Sequence, residues 1–216
     1  MLKIFCFVYF KRYTFPIYLK YRLSSNKLAL IFTVCMEEKM NREITTKAAR
    51  SRTKDICISG IFIALTLVAT MFINIRLPFM GNGGLIHLGN VPMFLAAIIY
   101  GRKTGALAGA FGMGMFDLIS GWTAWAPFTF VIVGLMGYVT GAISEKDSKH
   151  PYLRNGFAMF VALLIKIGGY YIAEGIIFGN WIAPIGSIPG NIVQVVTAAI
   201  IVLPIADKLK QVASRF

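Results

Sequence analysis

Charge is scarce in this chain of 216 residues: 14% of positions are charged, and acids are rarer still, nine Asp and Glu against 22 Lys and Arg. Soluble domains carry about 25% charged residues, so 57% apolar content with a positive mean hydropathy excludes that class and reads as an integral membrane protein. The three cysteines, Cys6, Cys35 and Cys57, are odd in number and have no CxxC or metal-ligand spacing, which excludes a disulfide framework and a cysteine metal site. No GxxxxGK[ST] phosphate loop is present, so the chain does not hydrolyse ATP by that route. HExxH, GxSxG and paired-aspartate motifs are missing too, which counts against an intramembrane enzyme using Asp117, His87 or Glu174 as acid and base. Nor is there an internal repeat of the kind ion-coupled carriers often show. A stand-alone carrier with Asp117 and Glu174 as proton sites is the alternative to a subunit that borrows its energy.

What the chain does have is apolar runs punctuated by basic loops. Residues 1–35 hold only short apolar fragments, Ile4 to Phe10 and Leu28 to Val34, broken by Lys11, Arg12, Lys20, Arg22 and Lys27. A basic start and an apolar run resemble a signal peptide, but no small-residue cleavage site follows. Met36-Glu-Glu-Lys-Met40 can be written by codons reading GGAGGA shortly before an ATG, as a bacterial ribosome-binding site would look if translated. Met40 is therefore the expected start, with residues 1–39 an extension and residues 40–54 a basic cytoplasmic segment.

Six spans are expected over residues 55–209: Asp55–Ile75, Leu85–Tyr100, Thr104–Ser120, Pro127–Ile143, Phe157–Phe178 and Asn191–Ile205. A spanning helix takes about 20 residues, so the second is short, and its His87, Asn90 and Pro92 predict an irregular entrance buried in protein. Residues 210–216 form a tail. With the N-terminus inside, 13 Lys and Arg after Met40 fall in cytoplasmic loops and only Arg76 falls outside. The positive-inside rule then fixes both termini as cytoplasmic, and the net charge of +13 needs no nucleic acid to explain it. The expected fold is all-α, a six-transmembrane-helix bundle.

The stretch from Gly84 to Gly141 is the expected functional centre. Gly101, Gly105 and Gly109 recur every four residues and predict one smooth helical ridge for close backbone approach. Asp117 follows among apolar neighbours, and an ionisable group there is costly in lipid and by default a site residue. The same topology gathers Trp122, Trp125, Glu174, Asn191 and Gln194 toward the outer face, with the loop after the first span, the Trp122 to Trp125 turn and the loop of Trp181 expected to form a lid. Lys166, Tyr170 and Glu174 fall at i, i+4 and i+8 on one helix face. The bland alternatives are an internal charge pair for Lys166, a hydrogen-bonded structural role for His87 and a helix cap for Asn191. Tyr170, Tyr171 and the two tryptophans beside an acid and a lysine suit a flat heterocycle such as riboflavin, a pyridoxine-like compound or a pyrimidine precursor of thiamine.

Gly84-Leu-Ile-His-Leu-Gly-Asn90, Tyr100 to Ala110, Phe116-Asp117-Leu-Ile-Ser-Gly-Trp122, Trp125-Ala-Pro-Phe-Thr129, Gly134-Leu-Met-Gly137 and Ile188-Pro-Gly-Asn-Ile-Val-Gln194 follow one another in the chain. In that order they resemble the substrate-binding S component of energy-coupling factor (ECF) transporters, of the riboflavin-type group. The resemblance covers about Asp55 to Leu209. It implies a subunit of the cell membrane that captures a vitamin and works with a coupling transmembrane protein and two cytoplasmic ATPases, which alone use ATP; no cofactor or metal is expected on this chain. It also implies docking of the coupling protein on small residues of the first helix, here Gly60 and Ala64. Two positions depart from the family pattern, Asn90 where an acid is common and Val133 where a lysine is common.

Overall fold

The computed structural model describes residues 9–10, 13–14, 37, 52–72, 74–76, 85–213 and 215. The chain divides into two compact units, residues 1–51 and 52–216. In the first, β1 (Tyr9–Phe10) pairs antiparallel with β2 (Tyr13–Thr14). The expected start at Met40 and most of the segment to residue 54 lie outside the described residues.

The second unit runs α1 (Arg52–Phe72), β3 (Asn74–Arg76), β4 (Leu85–His87), α2 (Asn90–Tyr100), α3 (Arg102–Ile119), α4 (Ala126–Ser144), α5 (Pro151–Phe178), a 3-10 turn (Ala183–Ser187) and α6 (Ile188–Ala213). Four helical stretches, α1, α4, α5 and Ala183–Ala213, are long and apolar enough to cross a membrane. Of the rest, α3 has the length but carries Arg102, Lys103 and Asp117, and α2 has only 11 residues. At a rise of about 1.5 Å per residue, α2 is shorter than the ~30 Å hydrocarbon layer.

Two boundaries differ from the sequence expectation for one reason: charge ends a lipid-facing run but not a helix, since Lys and Arg are good helix formers. Helix α5 starts at Pro151, where a fixed φ suits the first helical position, and takes in Tyr152 to Gly156. Helix α6 passes Pro204 and carries Lys208 and Lys210 to Ala213. The all-α bundle carries one short addition. Before α2, β3 and β4 form an antiparallel ribbon with Asn74 opposite His87 and Arg76 opposite Leu85, so this backbone satisfies its own hydrogen bonds; residues 77–84 between them lie outside the described part.

Helix α2 is the centre of the bundle: Met93, Phe94, Ala96 and Ala97 are wholly buried against α3, α4 and α6. Glycine makes the α3–α4 crossing possible. A Cβ on Gly105 would lie 2.7 Å from the Ala97 Cα and 2.9 Å from the Gly137 carbonyl oxygen, and one on Gly109 would lie 2.7 Å from the Val133 carbonyl oxygen. Gly137 and Gly141 meet the backbones of Gly105 and Arg102 closer still. Gly101 is not part of that ridge. It turns the chain between α2 and α3 at φ 92°, a left-handed conformation that favours glycine, and Gly112 extends the ridge toward Thr66 of α1.

Candidate functional site

A cavity of about 90 Å³ opens at one end of the bundle, lined by residues from α1, α3, α4, α5 and α6, from β4, from the turn before α4 and from the 3-10 turn. The last turns of α1 and α3, the second half of α5 and the first turns of α4 and α6 all meet there, so the helices alternate in direction. His87 reaches the wall from β4, just before α2. Gly121, at φ 86°, turns the chain after α3 so that Trp122 N–H bonds the Asp117 carbonyl, and the turn sets Trp125 at the cap of α4.

Nine of the ten residues expected to bind substrate are on this wall: His87, Asp117, Trp122, Trp125, Lys166, Tyr170, Glu174, Asn191 and Gln194. The spacing of Lys166, Tyr170 and Glu174 puts all three on the cavity face of α5. Asn90 is different. It is wholly buried behind the wall, and its Nδ2 reaches Gln194 Oε1 at 3.4 Å while its Oδ1 has no partner. At the first turn of α2 its side chain points into the packed centre, so it positions Gln194 instead of lining the cavity. Tyr171 also turns away, donating its hydroxyl to the Trp181 carbonyl at 2.9 Å.

Lys166 is 2% exposed and donates to Gln194 Oε1 at 2.6 Å. Gln194 is therefore its hydrogen-bond partner, while the Asp117 carboxylate acts on it through charge. The Thr129 and Tyr170 hydroxyls are 3.1 Å apart, and Thr129 also bonds the Asp117 carboxylate. A hydroxyl has one proton, so Thr129 donates to Asp117 and accepts from Tyr170; the carboxylate sets the direction of the chain. Glu174 is 7% exposed and receives Ser187 and Trp125 side chains, yet its Oε2 is buried without a hydrogen-bond partner. Leaving a buried acceptor unmatched costs about 1–3 kcal/mol, a cost that an incoming donor would relieve.

The aromatic groups form a ladder above this polar floor, with Trp122 and Trp125 edge to face at 5.2 Å and Trp125 against Phe178 at 5.7 Å. Of the expected lid, the Trp122–Trp125 turn and Ser187 of the 3-10 turn reach the wall. Trp181 instead packs its ring on Gly175, where a Cβ would lie 2.5 Å away. Sequence reading missed Thr70, Met113, Phe116, Thr129, Ser187 and Gly190. Small hydroxyls and apolar side chains within spans give no signal, and Thr129 could have been found only by its place one helical turn after Trp125. His87 accepts the Gly89 N–H at Nδ1 over 3.3 Å, so it has both the structural bond and a place on the wall. Among the described residues no group of His, Cys, Asp and Glu could hold a metal ion.

The family model described as "ECF-type riboflavin transporter, S component" matches residues 50–211. The chain belongs to this family. This S component is 28% identical over 149 residues to the "Thiamine precursor transporter HmpT" of Lactococcus lactis subsp. cremoris (strain MG1363), covering 68% of this chain and 82% of the relative. It is also 28% identical over 134 residues to an "Uncharacterized protein in gap 3'region" of Pyrococcus woesei, covering 62% of this chain and 86% of that one. A structure reported under "Structure and mechanism of the S component of a bacterial ECF transporter" shares the fold, with a TM-score of 0.57, 19% identity, and coverage of 74% of this chain and 97% of that one. The S component is thus a multi-pass protein of the cell membrane and a transporter subunit, not an enzyme.

Proposed function

We propose that this S component captures a small flat vitamin or vitamin precursor of one ring on the outer face of the membrane, through the cavity at the ends of its helices. One observation carries the reading: Asp117, Lys166, Glu174 and Gln194 converge with Trp122, Trp125 and Tyr170 on a single cavity. At about 90 Å³ it is well below the ~300–1,000 Å³ of pockets for drug-sized ligands. A pyridoxine-like compound or a pyrimidine precursor of thiamine fits that size better than the three-ring system of riboflavin, and the HmpT relative supports the pyrimidine. The ring stacks on the tryptophans while its donor edge meets Glu174 and its acceptor edge meets Lys166.

In this reading all six helices cross the membrane and both termini are cytoplasmic. Arg52, Lys54, Arg102, Lys103, Lys146, Lys149, Arg154, Lys208 and Lys210 stand at the ends of the helices away from the cavity, as the positive-inside rule requires. Energy comes from a coupling transmembrane protein and two cytoplasmic ATPases, and this chain itself uses no cofactor. The coupling protein docks on α1, where Gly60 and Ala64 are exposed and an added Cβ on Gly60 would meet nothing within 4 Å.

The test is to purify the protein in detergent, denature it and identify what it releases by mass spectrometry. A one-ring heterocycle is expected in about equimolar amount. Release of riboflavin overturns the size assignment. Accumulation of substrate by proteoliposomes holding this chain alone, driven by pH or sodium, overturns the subunit reading in favour of an ion-coupled carrier.

A further inference from the structure

At the end of the bundle away from the cavity lies a second, larger hollow of about 630 Å³ between the start of α1, the α2–α3 turn and the end of α4. Its walls are of two kinds. Ile56, Ile63, Leu107 and the Tyr100 ring make an apolar side, with Ile56 72% exposed and Leu107 40% exposed. Gly60 deepens it, since nothing stands within 4 Å of where its Cβ would be. At the rim stand two acids and two bases, Asp55, Glu145, Arg102 and Lys103.

These four charges are not equivalent. Glu145 and Arg102 satisfy each other: Glu145 Oε2 is 3.3 Å from Arg102 Nε, Glu145 Oε1 accepts the Arg102 backbone N–H at 2.8 Å, and the Arg102 guanidinium also lies over the Tyr138 ring. Asp55 and Lys103 are exposed and have no ion-pair partner among the described residues. Among the described residues, one unpaired anion and one unpaired cation therefore border the same apolar hollow without pairing to each other. The rim is neutral overall, so a purely anionic ligand would gain at Lys103 and lose at Asp55.

We propose that this hollow is a lipid site for a phospholipid with a zwitterionic aminoethyl-phosphate headgroup, in the manner of phosphatidylethanolamine. The phosphate meets Lys103, the primary ammonium meets Asp55, and one acyl chain lies along Ile56, Gly60, Ile63 and Leu107. The site stands at the level where the helices end in charged residues, which is where a headgroup sits, and its apolar wall opens to the exposed faces of α1 and α3 that contact lipid tails. An ammonium with three N–H donors can be held by a carboxylate at short range, whereas the trimethylated headgroup of phosphatidylcholine has no such donor. The proposal does not depend on the substrate; its acyl path shares Gly60 with the face proposed for the coupling protein, so it concerns the subunit free of that partner.

The experiment uses the full chain, delipidated in detergent and titrated with palmitoyl-oleoyl phosphatidylethanolamine, phosphatidylcholine or phosphatidylglycerol, with bound lipid counted by native mass spectrometry. Phosphatidylethanolamine is expected to be retained about tenfold more strongly than the other two, as one charge-assisted hydrogen bond allows. Lys103→Ala should lower retention of the phosphatidylethanolamine, and Asp55→Asn should leave it bound but remove the preference over phosphatidylcholine. Both residues are exposed, so neither change threatens the fold, and circular dichroism on the same samples confirms it. Equal retention of the three lipids, stronger retention of phosphatidylglycerol, or no effect of either substitution overturns the proposal. So does unchanged lipid retention with Gly60→Leu, which fills the path assigned to the acyl chain.

Discussion

Small residues four apart occur on α1, as Gly60 and Ala64, and along α3 and α4, as Gly105, Gly109, Gly137 and Gly141, and the two sets have opposite surroundings. On α3 and α4 each glycine faces backbone or a buried side chain closer than an added Cβ could stand. On α1, Gly60 faces nothing and Ala64 is exposed. The most apolar stretch of α1 is only 17% buried, against 44% for α4. The same pattern thus serves internal packing in one place and leaves an unfilled face in the other. In a membrane, where apolar lipid competes equally for apolar side chains, close backbone approach is one of the few forces that brings helices together, and the open face of α1 is where the proposed docking would use it.

The largest effect should come from filling the packed side of this comparison. Gly137→Leu places a side chain into the Gly105 backbone, and neither helix can give way because α2 stands behind α3. Overpacking a core costs about 1–3 kcal/mol even where side chains can adjust, and here the obstacle is backbone. The expected outcome is loss of the monodisperse peak in size-exclusion chromatography of the detergent-solubilised protein. A folded Gly137→Leu variant would show that the α3–α4 crossing is not held by close approach.

A smaller effect, confined to binding, is expected at the cavity. Asp117→Asn keeps the shape and the Thr129 contact but loses the charge that fixes the Thr129–Tyr170 direction, and Glu174→Gln puts a neutral amide where the unpartnered Oε2 stands. Each should weaken ligand binding about ten- to a hundredfold, equivalent to roughly 1.5–3 kcal/mol for a charge-assisted hydrogen bond. The melting temperature should stay about the same for Asp117→Asn, which keeps the Thr129 contact, and stay the same or rise for Glu174→Gln, because removing an unmatched buried carboxylate relieves the empty protein. Unchanged affinity with a lower melting temperature would make these acids structural.

How far the sequence reaches is clear from the same residues. Asp117, Lys166 and Glu174 are legible because charge inside an apolar run has few explanations, and the i, i+4, i+8 spacing on α5 orients Lys166, Tyr170 and Glu174 at once. Trp122 and Trp125 are legible because a turn of aromatics between apolar runs stands out. Asn90 shows the limit: its type and neighbours match those of the wall, and only the packing of α2 at the centre of the bundle turns it inward to Gln194. The β3–β4 ribbon is hidden because a short pairing before a helix leaves no period to read. Gly101 looks like one more ridge position, and its left-handed φ comes from the turn that ends α2. Gly60 and Gly105 cannot be told apart from spacing at all, since the difference lies in what faces them.

The smallest effect on the fold, and the most informative for transport, belongs to the open side of the comparison. Gly60→Leu and Ala64→Leu add side chains to exposed positions on α1, so no internal neighbour has to move. Surface changes of this kind fall within about 0.5 kcal/mol of stability, and the melting temperature and ligand affinity should therefore match those of the unmodified chain. Docking needs the partner backbone to come close, and a leucine there holds it off. Co-purification with the coupling protein and ATP-dependent uptake should be lost in both variants. If Ala64→Leu keeps the partner bound, α1 is a lipid-facing helix whose small residues have no docking role. If ligand affinity and stability fall first, the open face is closed in the bilayer by the protein itself, and the contrast between α1 and the α3–α4 crossing disappears.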